Sequence, residues 1–136
     1  MSDGVLLDTS ILVAEERGGD ALEQVPDHQG RSAISAITLA EYWKGLERAT
    51  GSAHRERRRR FYERVVAHFD VASVDEEIAL ETARLWADLE RRGSMIGAFD
   101  LLIAATALAR GWTLATADVR DFSRVEGLEL ITLPAG

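Results

Sequence analysis

The sequence predicts an α/β fold: a single domain with a central, mostly parallel sheet of about five short strands and helices on both faces. Short apolar runs alternate with longer segments of helical periodicity. The runs are continuously apolar, which is typical of parallel strands buried on both faces. A chain of 136 residues with 46% hydrophobic content can build one core but not two. We therefore expect one domain over residues 1–136.

Five apolar runs are predicted as strands because Gly, Pro or polar residues bound them and none is long enough for a buried helix. The first four are separated from one another by predicted helices, as parallel connections require. The predicted strands occupy residues 4–7, 31–35, 70–74, 112–116 and 128–133.

Five helices are predicted from apolar periodicity and from residues that start or stop a helix. Thr9 or Ser10 can cap the first helix, and Ser35 can cap the second. The fourth has acidic residues in its first turn, arginines in its last and Gly93 beyond, as the helix dipole favours. A loop is predicted at residues 117–122. The predicted helices occupy residues 10–17, 36–49, about 54–69, 75–92 and 97–110.

Composition excludes several classes of site. The formal net charge of -7 argues against broad electrostatic binding to nucleic acid. The absence of cysteine excludes disulfides, thiolate zinc sites and cysteine nucleophiles, and His28, His54 and His68 form no close-spaced ligand pair. The longest nearly apolar run, residues 101–109, is too short to span a bilayer, and the N-terminus has no signal pattern. We expect a cytoplasmic protein with no membrane contact.

A local basic segment contrasts with this acidic chain. Residues 55–60 read RERRRR at the start of a helical stretch. One interpretation is a solvated helix face whose arginine stems cover apolar surface. The other is a contact to RNA phosphates or to an acidic partner, made by Arg57, Arg58, Arg59 and Arg60.

Asp100 lies in the apolar segment GAFDLLIAATALAR, residues 97–110. A carboxylate on a buried helix stripe needs a hydrogen-bond partner, a cation or a raised pKa, because an unpaired buried charge costs several kcal/mol or more. No Lys, Arg or His lies on its helix face to pair with it, so compensation must come from elsewhere. Its neighbours on that face are Ile103, Ala104, Ala107 and Leu108.

Four acidic residues can meet at one edge of the predicted sheet. In open α/β sheets, ligands bind outside the carboxyl ends of the strands. Asp8 follows the first strand, Asp118 lies beyond the fourth, Glu41 is two turns into the helix after the second, and Asp100 opens the helix before the fourth. Each also has an ordinary structural explanation: a helix cap for Asp8 and Asp100, a turn for Asp118, and a surface pair with Lys44 for Glu41.

A convergent acidic cluster requires bound cations or shifted pKa values. Two carboxylates about 4 Å apart repel by roughly 4 kcal/mol at an effective dielectric constant of 20. Oxygen ligands without Cys or His select Mg²⁺ or Mn²⁺ over Zn²⁺. Such an ion polarises a phosphate and activates water for phosphodiester hydrolysis. This chemistry needs no serine, histidine or cysteine nucleophile.

Four segments in order along the chain, LLDTSILV, AITLAEYWKGL, GAFDLLIAATAL and LATADVRDF, resemble the PIN-domain nucleases, specifically the VapC-type toxins of bacterial type II toxin-antitoxin pairs. The resemblance implies a Mg²⁺- or Mn²⁺-dependent endoribonuclease. Its catalytic and metal-binding acids match Asp8, Glu41, Asp100 and Asp118.

The resemblance also implies supporting residues and partners. The hydroxyls of Thr9, Ser10 and Thr116 match positions that orient the acids or metal-bound water, and Asp121 is implied as a supporting acid or a substitute for Asp118. Implied partners are an RNA substrate, a second copy in a homodimer, and a small antitoxin encoded alongside. The tail of such an antitoxin covers the acidic pocket, often with a basic side chain.

Other classes fit the sequence less well. A phosphoryl-transfer receiver domain needs adjacent acids after the first strand and a lysine at a late strand end, whereas Asp8 is followed by Thr9 and the only lysine, Lys44, lies on a helix. A haloacid-dehalogenase-type phosphatase needs Asp-x-Asp, but position 10 is Ser. A PIN-like RNA or protein binding module without catalysis keeps the same fold and is the remaining alternative.

Overall fold

The computed structural model describes residues 4–25 and 31–133, and its centre is a five-stranded parallel sheet. All five predicted strands are present, each somewhat shorter than predicted. They are β1 (Val5–Leu7), β2 (Ser32–Ser35), β3 (Asp70–Ala72), β4 (Thr113–Thr116) and β5 (Leu130–Thr132). Their order across the sheet is β3-β2-β1-β4-β5, so β1 lies in the middle, paired with β2 and β4.

The five predicted helices are present in the described part of the chain, together with two short ones that were not predicted. The two additions are four residues long, which is too short for periodicity to indicate a helix. One of them occupies the predicted loop at 117–122. The helices are α1 (Thr9–Glu16), α2 (Ala21–Gln24), α3 (Ala36–Arg48), α4 (Ser52–His68), α5 (Glu76–Arg91), α6 (Ala98–Arg110) and α7 (Val119–Phe122). None of the helices in these ranges has the length and apolar character needed to cross a membrane.

The two faces of the sheet bury separate apolar clusters. Leu6 and Leu114 belong to the cluster that includes residues of α5 and α6, whereas Leu7 and Ala115 belong to the cluster that includes residues of α1, α3 and α4. Neighbouring strand residues point to opposite faces, and both faces are covered by helices. This explains why β1 and β4 are buried at every position.

Strand β3 departs from the predicted buried run. It lies at one edge of the sheet, and its residues Asp70 and Val71 are exposed. An edge strand has a neighbour on one side only, so less of its surface is covered.

The predicted helix caps have different outcomes. Ser35 caps α3, because its Oγ accepts a hydrogen bond from the backbone N–H of Ile37 at 3.0 Å. Capping of α1 by Thr9 or Ser10 is wrong: the helix begins at Thr9, after Asp8, with no side-chain cap. The hydroxyls of Thr9 and Ser10 bind acidic side chains instead.

Candidate metal centre at the carboxyl edge of the sheet

Asp8 stands directly after β1, at the carboxyl end of the central strand. Its side chain is 5% exposed. Its Oδ2 atom accepts hydrogen bonds from Ser10 Oγ at 2.8 Å and from Thr116 Oγ1 at 2.9 Å. Two hydroxyl groups therefore hold this carboxylate, and no cationic side chain in the described ranges pairs with it.

The same two hydroxyls bind the backbone of the loop after β4. Ser10 Oγ accepts from the N–H of Ala117 at 2.9 Å, and Thr116 Oγ1 accepts from the N–H of Asp118 at 2.9 Å. Asp8 is thus linked through side chains to the loop that carries Asp118. Because these bonds leave each group little freedom, the first and fourth strands hold their acids in a fixed relation.

Glu41 lies on α3, and its side chain binds the start of α1. Thr9 Oγ1 donates to Glu41 Oε1 at 2.6 Å. The alternative explanation, a surface pair with Lys44, is not found: Lys44 is exposed, and no ion pair of Glu41 occurs within residues 4–25 and 31–133. The carboxylate is therefore held by a neutral donor, as Asp8 is.

Asp100, Asp118 and Asp121 form the tightest acidic group. Each offers a carboxylate oxygen, and these atoms all lie within 4.8 Å of one another. Asp100 is in the first turn of α6, Asp118 precedes α7, and Asp121 is within α7. Asp118 and Asp121 therefore lie side by side at this edge of the sheet, both within reach of Asp100.

Asp100 is the electrostatic centre of the group. Burial and the negative charges of four other acids raise its pKa from 3.8 to about 6. In the described part of the chain, no hydrogen bond or ion pair to a cation compensates it. Gly97, and not Asp100, is the N-cap residue of α6, so the capping explanation does not apply. The four acids that raise its pKa, in order of decreasing effect, are Asp8, Glu41, Asp121 and Asp118.

The donor set suits a hard divalent cation. It consists of carboxylate oxygens supported by hydroxyls, with no sulfur or imidazole ligand in the group. The five neighbouring carboxylates repel one another, since the one ion pair that they form within the described residues is that of Asp121 with Arg124, at 3.9 Å. A bound cation reduces this repulsion. Asp8, Glu41, Asp100, Asp118 and Asp121 are therefore the residues that could hold a metal ion.

Comparison with known proteins assigns the family. The family model described as PIN domain matches residues 5–128 of this chain. A relative described as ribonuclease VapC1 of Rickettsia felis is 38% identical over 130 residues, which cover 96% of each chain. This chain belongs to the PIN-domain family and to its VapC ribonucleases.

Other VapC proteins are similar in sequence and in structure to this PIN domain. A protein described as tRNA(fMet)-specific endonuclease VapC of Shigella flexneri is 34% identical, covering 90% of this chain and 92% of that protein. The solved structure of VapBC2 from Rickettsia felis, bound to a DNA fragment from its promoter, superposes with a TM-score of 0.84. Its identity is 27%, and the match covers 95% of this chain and 98% of that one. The single α/β domain with a parallel sheet is the fold of these proteins.

The arginines at positions 57–60 of this PIN domain have different surroundings. Arg58 Nε donates to Glu16 Oε2 at 3.0 Å, and its guanidinium carbon lies 4.6 Å from the centre of the Tyr42 ring. The other three are exposed, and two of them form ion pairs of 3.4 Å with glutamates four residues away. The sequence does not distinguish these four arginines. In the structure, Arg58 is engaged with Glu16 and Tyr42 and is not part of the exposed basic surface.

Proposed function

We propose that this PIN-domain protein is the toxin of a bacterial type II toxin-antitoxin pair, an endoribonuclease that hydrolyses RNA phosphodiester bonds with Mg²⁺ or Mn²⁺. One observation carries the metal-dependent part of the proposal: Asp100 lies among four other carboxylates, and Asp100 itself has no cationic partner in the described ranges. The ribonuclease descriptions of relatives up to 38% identical support the reaction.

Asp8, Glu41, Asp100 and Asp118 are proposed as the catalytic and metal-binding acids, with Asp121 beside them. A bound divalent ion would supply Lewis-acid polarisation of the scissile phosphate and a source of nucleophilic water. The carboxylates also repel the phosphate backbone of RNA in the absence of a cation. Productive RNA binding at this edge therefore requires that the acids be neutralised first.

The neutral hydroxyls fix the acids without cancelling their charge. Thr9 orients Glu41, and Ser10 and Thr116 orient Asp8. A lysine or arginine in place of any of them would pair with the carboxylate and compete with a metal ion. We propose that Thr9, Ser10 and Thr116 position the acids so that their free oxygens face the ion and the RNA.

Helix α4 is proposed to contact RNA phosphates through Arg57, Arg59 and Arg60. The helix has six arginines and two glutamates in an acidic chain, so it is a local concentration of positive charge. Replacing Arg57 and Arg60 by Gln should weaken binding of all RNA sequences alike and reduce its salt dependence. An unchanged salt slope in a filter-binding assay contradicts the contact.

The proposed partners follow from the relatives. The solved structure of VapBC-5 from Mycobacterium tuberculosis is described as a member of the VapBC family of toxin-antitoxin systems, so we propose a cognate small antitoxin that closes the acidic edge with a basic side chain. We also propose a homodimer, for which the exposed Leu80 and Trp86 of α5 offer apolar surface.

We propose that the protein acts in the cytoplasm, where its RNA substrate is found. The first RNA to test is tRNA(fMet), which is named in the description of the Shigella flexneri relative.

The proposal is tested by expressing the chain alone under an inducible promoter and sequencing the RNA ends that appear. Wild-type protein should produce discrete new ends, and Asp100→Asn protein at equal abundance should produce none. Coexpression of the gene encoded alongside should suppress the new ends. If Asp100→Asn generates the same ends as wild type, the assignment of this acidic cluster as the active site is wrong.

A further inference from the structure

Three helices meet at a network of Glu16, Tyr42 and Arg58. The Tyr42 hydroxyl and Arg58 Nε both donate to the same oxygen, Glu16 Oε2. The guanidinium group of Arg58 also lies over the Tyr42 ring, with 4.6 Å between its carbon and the ring centre. Tyr42 is 3% exposed, and the side chains of Arg58 and Glu16 are 18% and 20% exposed. The network is therefore largely shielded from solvent. Charge-assisted hydrogen bonds are stronger in such shielded surroundings than in water.

Gly45 makes room for this network. A Cβ atom at position 45 would collide with the Arg58 guanidinium group, which lies against the bare backbone of α3. The absence of a side chain at residue 45 therefore lets the Arg58 guanidinium group lie against α3 where it binds Glu16. The backbone of Gly45 is ordinary helix, so glycine is not needed there for its conformational freedom. It serves the close approach of α4.

Helices α1 and α3 are consequently joined at two points. Thr9 at the start of α1 bonds Glu41, and Glu16 at its end bonds Tyr42. The two points lie about 10 Å apart along α1, from a rise of roughly 1.5 Å per residue. Glu41 and Tyr42 are adjacent on α3, so any rotation of α3 that moves one of them moves the other.

We propose that Glu16, Tyr42 and Arg58 are positioning residues for Glu41: they lock the rotation of α3 against α1 so that the Glu41 carboxylate stays at the acidic edge. The proposal rests on the proposed function, in which Glu41 helps to hold the divalent ion. Glu41 itself forms only one hydrogen bond to the protein in the described ranges, so its place depends on the position of its helix.

The first test compares Tyr42→Phe with a matched control, Thr82→Val. Each variant loses one hydroxyl, and that of Thr82 donates to the backbone oxygen of Ile78 on α5, which is not part of the acidic group. Tyr42→Phe should weaken Mg²⁺ binding, measured by titration calorimetry on the full chain, by about 10-fold, the scale of supporting interactions at metal sites. Thr82→Val should leave it unchanged. Equal Mg²⁺ affinity in Tyr42→Phe and wild type overturns the proposal.

Two further variants grade the effect. Glu16→Gln keeps an acceptor for the Tyr42 hydroxyl and should weaken Mg²⁺ binding less than Tyr42→Phe. Gly45→Ala should displace Arg58 and act in the same direction. In the metal-free protein, hydrogen exchange of amides 38–43 should be faster in Tyr42→Phe than in Thr82→Val at matched thermal stability. Identical exchange in the two variants contradicts the locked rotation.

A double variant separates this proposal from the proposed function. If Tyr42 acts through Glu41, then Tyr42→Phe should slow tRNA cleavage in the wild-type background but not in the Glu41→Gln background. An equal additional loss in both backgrounds overturns the positioning role. Wild-type cleavage by Glu41→Gln alone contradicts the proposed function of Glu41 itself, whatever Tyr42 does.

Discussion

Asp75 and Asp100 lie near opposite ends of α6 and have opposite electrostatic surroundings. Asp75 caps α5 by accepting from the N–H of Ile78 at 3.0 Å, and it also pairs with Arg110 in the last turn of α6. The Ile78 hydrogen bond and the Arg110 guanidinium lower the pKa of Asp75. Asp100 has neither kind of partner, and burial and neighbouring acids raise its pKa to about 6.

The difference shows that the charge of Asp75 stabilises the fold, whereas the charge of Asp100 destabilises it. Asp75 satisfies a helix N-terminus and neutralises a cation, so its charge is compensated where it stands. Asp100 leaves a negative charge uncompensated among apolar neighbours, a cost that the fold alone does not require. A divalent ion would supply at Asp100 what Arg110 supplies at Asp75. The contrast between the two aspartates leads to four expected outcomes, ordered from the largest effect to the smallest.

The largest expected effect is that of Asp100→Asn on RNA cleavage. Loss of about 3 kcal/mol of metal-centred transition-state stabilisation should slow cleavage by on the order of 10²-fold or more. The melting temperature of the metal-free variant should equal or exceed that of wild type, because one of several repelling carboxylates is gone. Asp75→Asn is the control and should cleave at the wild-type rate. A slow Asp100→Asn protein that is also unfolded would instead indicate a structural role.

Metal binding should stabilise the wild-type protein by an amount set by mass action. At a Mg²⁺ concentration of 100 times the dissociation constant, the gain in unfolding free energy is about 2.7 kcal/mol. Differential scanning calorimetry should show this gain in wild type and in Asp75→Asn, and little of it in Asp100→Asn. Excess chelator should abolish cleavage and leave the protein folded. Undiminished cleavage in chelator rules out metal dependence.

The two aspartates should give opposite pH dependences of stability in the metal-free protein. Because the folded-state pKa of Asp100 is raised, its contribution to stability is present below about pH 4 and is lost as pH rises through about 6. After discounting for solvent screening of this half-exposed group, the loss is about 1 kcal/mol. Urea unfolding across this range should show a shallower decline for Asp100→Asn than for wild type. Parallel curves would mean that Asp100 is not the titrating group.

The smallest effect is expected at Asp75. Its lowered pKa contributes stability at neutral pH, which is lost as pH falls below its ordinary range. Asp75→Asn should therefore lower the melting temperature by a few degrees at pH 7, and the difference from wild type should shrink in acid. Thermal scans at pH 7 and pH 3 test this. A difference that grows in acid would show that the Arg110 pair is not its source.

Much of the fold follows from local patterns. The buried strand β1 is continuously apolar, and Ser35 stands where a helix cap is expected. The short helices α2 and α7 could not be predicted, because four residues complete little more than one turn. Strand β3 reads as a buried run, but its exposure depends on its place at the sheet edge, which local sequence does not specify.

The residues of the site likewise divide into those placed by local sequence and topology and those placed by contacts that local sequence does not specify. Strand ends and the topology rule were enough to bring Asp8, Asp100 and Asp118 to one edge. Local sequence alone left Thr9 and Ser10 free to cap a helix or to bind an acid, and the family resemblance indicated the acids. Their acceptors are Glu41, 32 residues from Thr9, and Asp8, two residues from Ser10. Arg58 was likewise indistinguishable from its neighbours, since its partners are 42 and 16 residues away and meet it only in the folded chain.

The hydrogen bond between Thr116 and Asp8 spans 108 residues of sequence. During synthesis, the central strand β1 leaves the ribosome first but waits for β4, so the acidic edge is incomplete until β4 has emerged. At about 5 to 20 residues per second, that interval lasts several seconds or more. A partly made chain therefore lacks the assembled acidic edge that we propose as the nuclease centre, beside the messenger RNA and ribosome that produce it. The chain order itself delays activity until the protein can be released, or bound by its antitoxin.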